Sequence, residues 1–219
     1  MATPKVVTEL LQRSNRLGSE PRFTNYAGGN TSAKGSIPNP ATGQETTVLW
    51  VKGSGGDLGT LTESGLAALD LEKFKALKNV YRGIDHEDEM VALFDYCRFG
   101  IGGAAPSIDT TMHGLVPFDH VDHLHPDSII ALATSVDGEK LTRECFGDEI
   151  LWVDWRRPGF QLGLDMERIA SENPKAKGCI LGGHGLTTWG ATSKECEERS
   201  IAAITKAEEF IKTKGKAEP

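Results

Sequence analysis

Three of the six histidines fall in one short run, Asp119-His120-Val121-Asp122-His123-Leu124-His125. Side chains alternate between faces along an extended strand, so His123 and His125 share a face and form a two-pronged imidazole clamp. Neutral imidazole is the commonest transition-metal ligand, and a catalytic site uses three protein donors with one position left open. His184, between Gly183 and Gly185, is the candidate third donor, because flanking glycines let its backbone approach another element closely. His120 falls on the opposite strand face, and His86 and His113 sit in helical patterns, so these rank lower as ligands. Each signal has an ordinary structural explanation by itself, a solvated strand face or a hydrogen-bonded loop histidine; together they favour a metal. A three-His set in oxygen-rich surroundings suits zinc first, with manganese, cobalt and iron as alternatives.

Two glycine-rich segments, Gly28-Gly29-Asn30-Thr31-Ser32 and Lys52-Gly53-Ser54-Gly55-Gly56, place small hydroxyl and amide side chains beside backbone amides, the chemistry of a phosphate cradle. Neither has the register of a dinucleotide-binding fingerprint or the Gly-Lys-Ser/Thr ending of a P-loop, and either could be a plain turn. In Pro106-Ser107-Ile108-Asp109 followed by His113, Asp109 and His113 share a helical face if a helix follows Pro106. Ser107 or Asp109 then reads locally as an N-cap. The functional reading makes Asp109 a proton-transfer base beside the metal.

The elements that must carry these residues alternate between helix and strand. Helical spacing covers Val6 to Leu17, with Gly18 in the place of a C-terminal glycine, and Asp85 to Phe99, with Asp85 as N-cap and Gly100 after it. The turn Asn39-Pro40-Ala41-Thr42-Gly43 between β-prone runs predicts a hairpin that ends in Thr47 to Val51. Further strands are expected at Phe118 to His125, Glu149 to Trp155, Gly178 to Leu181 and Leu186 to Trp189, and helices at Ile129 to Ala133 and Leu164 to Ala170. Thr192 and Glu195 have capping-box spacing ahead of a helix marked by Ile201, Ile204, Ala207, Phe210 and Ile211; the polar tail Lys212 to Pro219 is expected to fray or to be cut from something longer. One α/β domain over residues 1–219 is the simplest account, with no repeat and no linker.

Composition narrows the partners. Against 31 Asp plus Glu stand 24 Lys plus Arg, a net charge of -7, which opposes binding to a nucleic-acid backbone yet leaves a single phosphate bindable by backbone amides. The start has no secretory apolar run and no stretch is apolar enough to span a membrane, which reads as cytoplasmic. Cys97, Cys145, Cys179 and Cys196 are dispersed and read as free buried thiols.

The order Gly-Asn-Thr-Ser, Lys-Gly-Ser-Gly, Pro-Ser-x-Asp-x-x-x-His, His-x-His-Pro, Gly-His-Gly-Leu from about Gly28 to Gly190 resembles the class II aldolase/adducin family. Within it, Trp155-Arg156-Arg157-Pro158-Gly159-Phe160 and Pro-Ser-Ile-Asp-Thr look most like the aldolase part of bifunctional rhamnulose-1-phosphate aldolase/short-chain dehydrogenase proteins, in which a dehydrogenase domain follows. The resemblance implies a three-layer α/β/α sandwich with a central, largely antiparallel sheet, and a homotetramer with sites between subunits. It implies a catalytic zinc on His123, His125 and His184, phosphate-binding positions at Asn30, Ser54, Gly55 and Ser107, and Asp109 where the family's aldolases place a catalytic glutamate. Ile108 replaces a serine of the family pattern and removes one phosphate contact. The implied activity is cleavage of a ketose 1-phosphate to dihydroxyacetone phosphate and an aldehyde through a metal-stabilised enediolate. A sugar-phosphate epimerase or decarboxylase using the same site, or a non-catalytic adducin-like interaction module, are the alternatives.

Overall fold

The computed structural model describes residues 3–215. Seven strands form one sheet in the order β3-β2-β1-β4-β7-β6-β5. They are β1 (Asn30–Pro38), β2 (Glu45–Lys52), β3 (Leu66–Asp70), β4 (His120–Leu124), β5 (Ile150–Val153), β6 (Gly178–Leu181) and β7 (Gly185–Gly190). Neighbouring strands run antiparallel except β5 and β6, so the sheet is largely antiparallel as expected. The helices are α1 (Lys5–Gly18), α2 (Leu71–Ala76), α3 (Glu87–Leu93), α4 (Thr110–Leu115), α5 (Asp127–Ala133), α6 (Gly138–Phe146), α7 (Phe160–Glu172) and α8 (Ser193–Lys214).

Strand alternation divides them between the two faces of the sheet. Val48 and Trp50 of β2 pack into a core with Leu10 of α1, Ile129 of α5, Phe146 of α6 and Ile204 of α8. Leu49 and Val51 point the other way, onto Phe74 of α2, Met90 of α3, Leu115 of α4 and Phe160 of α7. Further along that second face, Met112 and Met166 pack under Val121 and Trp189.

The hairpin, the two C-terminal strands and the capped last helix stand where the sequence put them. Thr192 Oγ1 accepts the Glu195 amide at 3.1 Å, and Glu195 reaches back to the Ala191 amide at 2.7 Å. The helix runs on to Lys214, so the first part of the expected tail is ordered helix, and residues 216–219 lie outside the described residues. Gly18 is not a left-handed cap: Ser19 continues in right-handed geometry, and a Cβ on Gly18 would stand 2.1 Å from the Gly59 nitrogen. The helix expected over Asp85 to Phe99 is broken into a 3-10 turn, α3 and a second 3-10 turn. Phe99 N donates to Ala68 O at 2.9 Å and Arg98 bridges Leu69, so the edge of β3 captures the chain before a longer helix can form. The four cysteines are free and buried. No helix among the described residues is long and apolar enough to cross a membrane.

Candidate metal centre and its surroundings

His123, His125 and His184 converge, with one ring nitrogen of each lying within 4.8 Å of the others. His123 points inward from β4, opposite Thr187 of β7. His125 follows one residue past the strand end on the same face, and His184 closes the turn between β6 and β7. That approach needs the glycine at 185, where a Cβ would stand 2.7 Å from His125 Cδ2 and 2.8 Å from Leu124 O.

The donor set fits a metal ion. His123 Nε2 lies 2.9 Å from His125 Nε2 and 3.2 Å from His184 Nε2; nitrogens on one tetrahedral zinc at roughly 2.0–2.1 Å sit about 3.3 Å apart. His123 Nδ1 faces Leu186 O at 3.0 Å, and since a carbonyl only accepts, Nδ1 carries the proton and Nε2 presents a lone pair. One lone pair facing two ring nitrogens satisfies at most one of them by hydrogen bonding. Burial drives the His123 imidazole well below its ordinary range, helped by its two neighbours, and burial then His184 takes His125 down to about 4. The rings are neutral, as ligands must be.

Asp109 stands at the N-terminus of α4 without capping it. Its Oδ2 accepts the Asn30 amide at 2.7 Å. Burial pushes the carboxyl up, opposed by His184, then Asn30 and Lys52, and its partner Asn30 stands directly across from His123 in the β1–β4 ladder. His113 makes no pair with Asp109 and bonds through Nδ1 to Ser32 Oγ at 2.8 Å. Of the first glycine-rich segment, Asn30, Thr31 and Ser32 belong to β1; Thr31 Oγ1 is taken by Ser14 at 2.6 Å and Ser32 Oγ by His113, while Asn30 reaches Asp109 and Gly28 lies against His125, where a Cβ would stand 3.1 Å from Nδ1. The second segment forms a loop: Ser54 N donates to Ala105 O at 2.9 Å, tying it to the chain that leads into Ser107. Ser107 Oγ is buried without a hydrogen-bond partner, as a ligand-binding hydroxyl would be. Trp155 lies 69% exposed with Cδ1 3.0 Å from where a Cβ of Gly183 would stand, beside His184.

Behind β4 lies a polar cluster that the sequence reading did not find. Arg13 is fully buried and donates to Asp122 Oδ1 at 2.9 Å, His120 Nδ1 at 3.0 Å, Ser193 Oγ at 2.8 Å and Ser32 O at 2.7 Å. Its signal was present: Leu10, Arg13, Ser14 and Leu17 share one helical face, and all are buried. His120 therefore faces away from the metal ligands, as strand alternation required.

The family profile described as Class II Aldolase and Adducin N-terminal domain matches residues 9–210. The chain is 38% identical over 208 residues to the uncharacterized oxidoreductase YuxG of Bacillus subtilis (strain 168), a match over 95% of this chain and 30% of that protein. The chain thus spans about a third of that relative's length. The N-terminal class II aldolase domain of a conserved protein from Thermoplasma acidophilum superimposes with a TM-score of 0.84 at 28% identity, over 96% of each chain. A sugar-phosphate aldolase from Thermotoga maritima shares the fold, with a TM-score of 0.70 at 14% identity over 98% of this chain and 97% of that one.

Proposed function

The chain belongs to the class II aldolase and adducin family, and from that premise we propose a zinc-dependent aldehyde-lyase that cleaves a ketose 1-phosphate, such as rhamnulose 1-phosphate, to dihydroxyacetone phosphate and an aldehyde. The observation that carries this reading is the convergence of three neutral imidazoles with a part-buried carboxyl held by Asn30, the residue paired with His123.

His123, His125 and His184 would hold the ion, which when bound supplies Lewis-acid stabilisation of the negative charge developing on the ketose oxygens. Cleavage breaks one carbon–carbon bond. The electron pair stays with the dihydroxyacetone phosphate half, and the hydroxyl on the departing carbon loses its proton as the aldehyde forms. Asp109 gives a proton to the carbon that kept the pair, and takes it back in the direction of synthesis. Its raised affinity for a proton suits that exchange, and Asn30 fixes the carboxyl's orientation. Ser54, Gly55 and Ser107, with Asn30 at their edge, hold the phosphate and so orient the bond that breaks. A neighbouring copy in a homotetramer supplies the group that receives the hydroxyl proton. The protein works in the cytoplasm on a small sugar phosphate, with no nucleic-acid or membrane partner.

The test is incubation of zinc-loaded protein with a panel of ketose 1-phosphates, coupled to detection of dihydroxyacetone phosphate. Turnover should fall about 10²–10⁴-fold in Asp109→Asn with metal content unchanged. An isomerised sugar phosphate without dihydroxyacetone phosphate would replace cleavage by epimerisation at the same centre. Full activity in Asp109→Asn would remove the proton-transfer role.

A further inference from the structure

We propose that the free edge of β5 pairs with the β5 edge of a second copy of this chain, antiparallel about a twofold axis at Leu151, and so carries the sheet from one protomer into the next. β5 ends the sheet order, with β6 as its single neighbour. Val153 O accepts the Gly182 amide and Glu149 O the Lys177 amide, each at 2.8 Å, so residues 149, 151 and 153 turn their polar backbone toward β6. Backbone groups alternate sides along a strand, and the N–H and C=O of Ile150 and Trp152 therefore face outward. No partner meets them among the described residues.

The opposite edge of the same sheet is closed. At β3, Ala68 O accepts Phe99 N at 2.9 Å, Leu66 O accepts Ala104 N at 3.0 Å, and Arg98 bridges Leu69. β5 has no such cover, and its sequence Ile-Leu-Trp-Val carries neither the charge nor the proline that commonly blunts an exposed edge. The groove over it runs between α6 and α7 and holds a further open group: Thr142 is 1% exposed and its hydroxyl has no partner.

The flanking charges select a second copy as the occupant. α6 runs back along β5, with its start at Trp152, where a Cβ on Gly138 would stand 2.8 Å from the ring, and its end at the turn into Ile150. Lys140 and Lys214 both pair with Glu144, whereas the exposed Glu139 and Arg143 form no ion pair among the described residues. Rotation about Leu151 sets Ile150 opposite the second copy's Trp152, a pair that exchanges both of its hydrogen bonds, and the axis repeats it. The same rotation brings Glu139 of each α6 toward Arg143 of the other. An extended peptide of another protein would satisfy the amides without this reciprocal charge. Asp148 and Asp154 flank the pair, and their repulsion across the axis confines the ladder to residues 150–152.

The experiment is sedimentation equilibrium on the full chain. Arg143→Glu sets like charges opposite each other on both sides of the axis; it should raise the dissociation constant of the pair about 100-fold or more and halve the mass where wild type is paired. Adding Glu139→Arg to that variant makes the charges opposite again and should restore the mass. An unchanged mass in Arg143→Glu, or a double variant no better than the single, overturns the proposal. The register is read separately. Leu151→Cys places two thiols at the axis, where a non-hydrogen-bonded antiparallel pair brings the Cα atoms to about 4.5 Å, within the reach of a disulfide. Under mild oxidation it should run as a linked dimer, whereas wild type, whose cysteines are buried, should not. Failure to link overturns the pairing and leaves the β5 edge to an extended segment of another protein.

Discussion

Among the three converging imidazoles, His123 is the one the fold holds hardest. It is completely buried, and its Nδ1 is fixed by Leu186 O at 3.0 Å and Thr187 Oγ1 at 3.1 Å, so its Nε2 is aimed before any ion arrives. His125 and His184 are half-buried, and His184 Nδ1 is buried without a partner. Removing the pre-aimed ligand should therefore cost more than removing either other: His123→Ala should weaken zinc binding by more than about 100-fold, beyond the usual cost of losing an outer-shell partner. Elemental analysis after dialysis against a graded chelator checks this, and His123→Ala that keeps one zinc per chain as tightly as wild type would refute it. This trio was legible because strand alternation and a glycine-flanked histidine are local signals. Arg13 was legible only in its company on one helical face with Leu10 and Leu17, because a basic residue on a helix face otherwise reads as solvent-facing until the layer that covers it is known.

The acid of the site is positioned by helix packing. Glu87 of α3 accepts the amides of Phe160 and Gln161 at 2.6 and 2.8 Å and the Tyr81 hydroxyl at 2.7 Å, anchoring the N-terminus of α7. From there α7 lies against α4: Thr111 Oγ1 donates to Gly159 O at 2.8 Å, and a Cβ on Gly163 would stand 2.8–3.0 Å from Thr111 Cβ, C and O. Thr111 is two residues from Asp109. Gly163→Ala should push the helices apart, costing about 1–3 kcal/mol of stability by overpacking. The displaced carboxyl should lower turnover by about 10-fold or more, because sub-ångström placement controls such steps. Urea unfolding and the coupled assay on metal-replete protein measure the two effects; unchanged stability and turnover would show that α7 does not set Asp109. None of this packing could be read along the chain. The hairpin, β6, β7 and α8 were legible from turn residues and caps, whereas α2 and β3 are short runs with little periodicity of their own and α6, though amphipathic, has no side-chain cap to mark its start. Asp85 to Phe99 misled because its helical spacing is real but the edge of β3 competes for the same backbone.

At the scale of the molecule, neutral histidines are buried against both faces of the sheet, His113 from α4 and His120 from β4. On one face burial and nearby Lys34 and Arg13 hold His113 down at about 3. On the other, burial and then Arg13 hold His120 at about 4, and because a guanidinium only donates, its bond to Nδ1 requires that nitrogen unprotonated. Arg13 joins α1 to β1, β4 and the start of α8 through the same hub, so protonating His120 strains contacts between layers. The sign follows from proton counts. An unfolded histidine takes a proton near pH 6.5, whereas folded His120 does so only near 4, so between these values the unfolded state binds more protons and stability falls as pH falls. Above 6.5 both states leave this ring neutral and it contributes no slope. Asparagine can offer Arg13 an acceptor oxygen without titrating. His120→Asn should therefore keep most of its stability at pH 7.5 and show a shallower decline in melting temperature between pH 6.5 and 4 than wild type. Measured by calorimetry in the metal-free state for both proteins, parallel declines would mean that His120 is not one of the groups through which acid opens the fold.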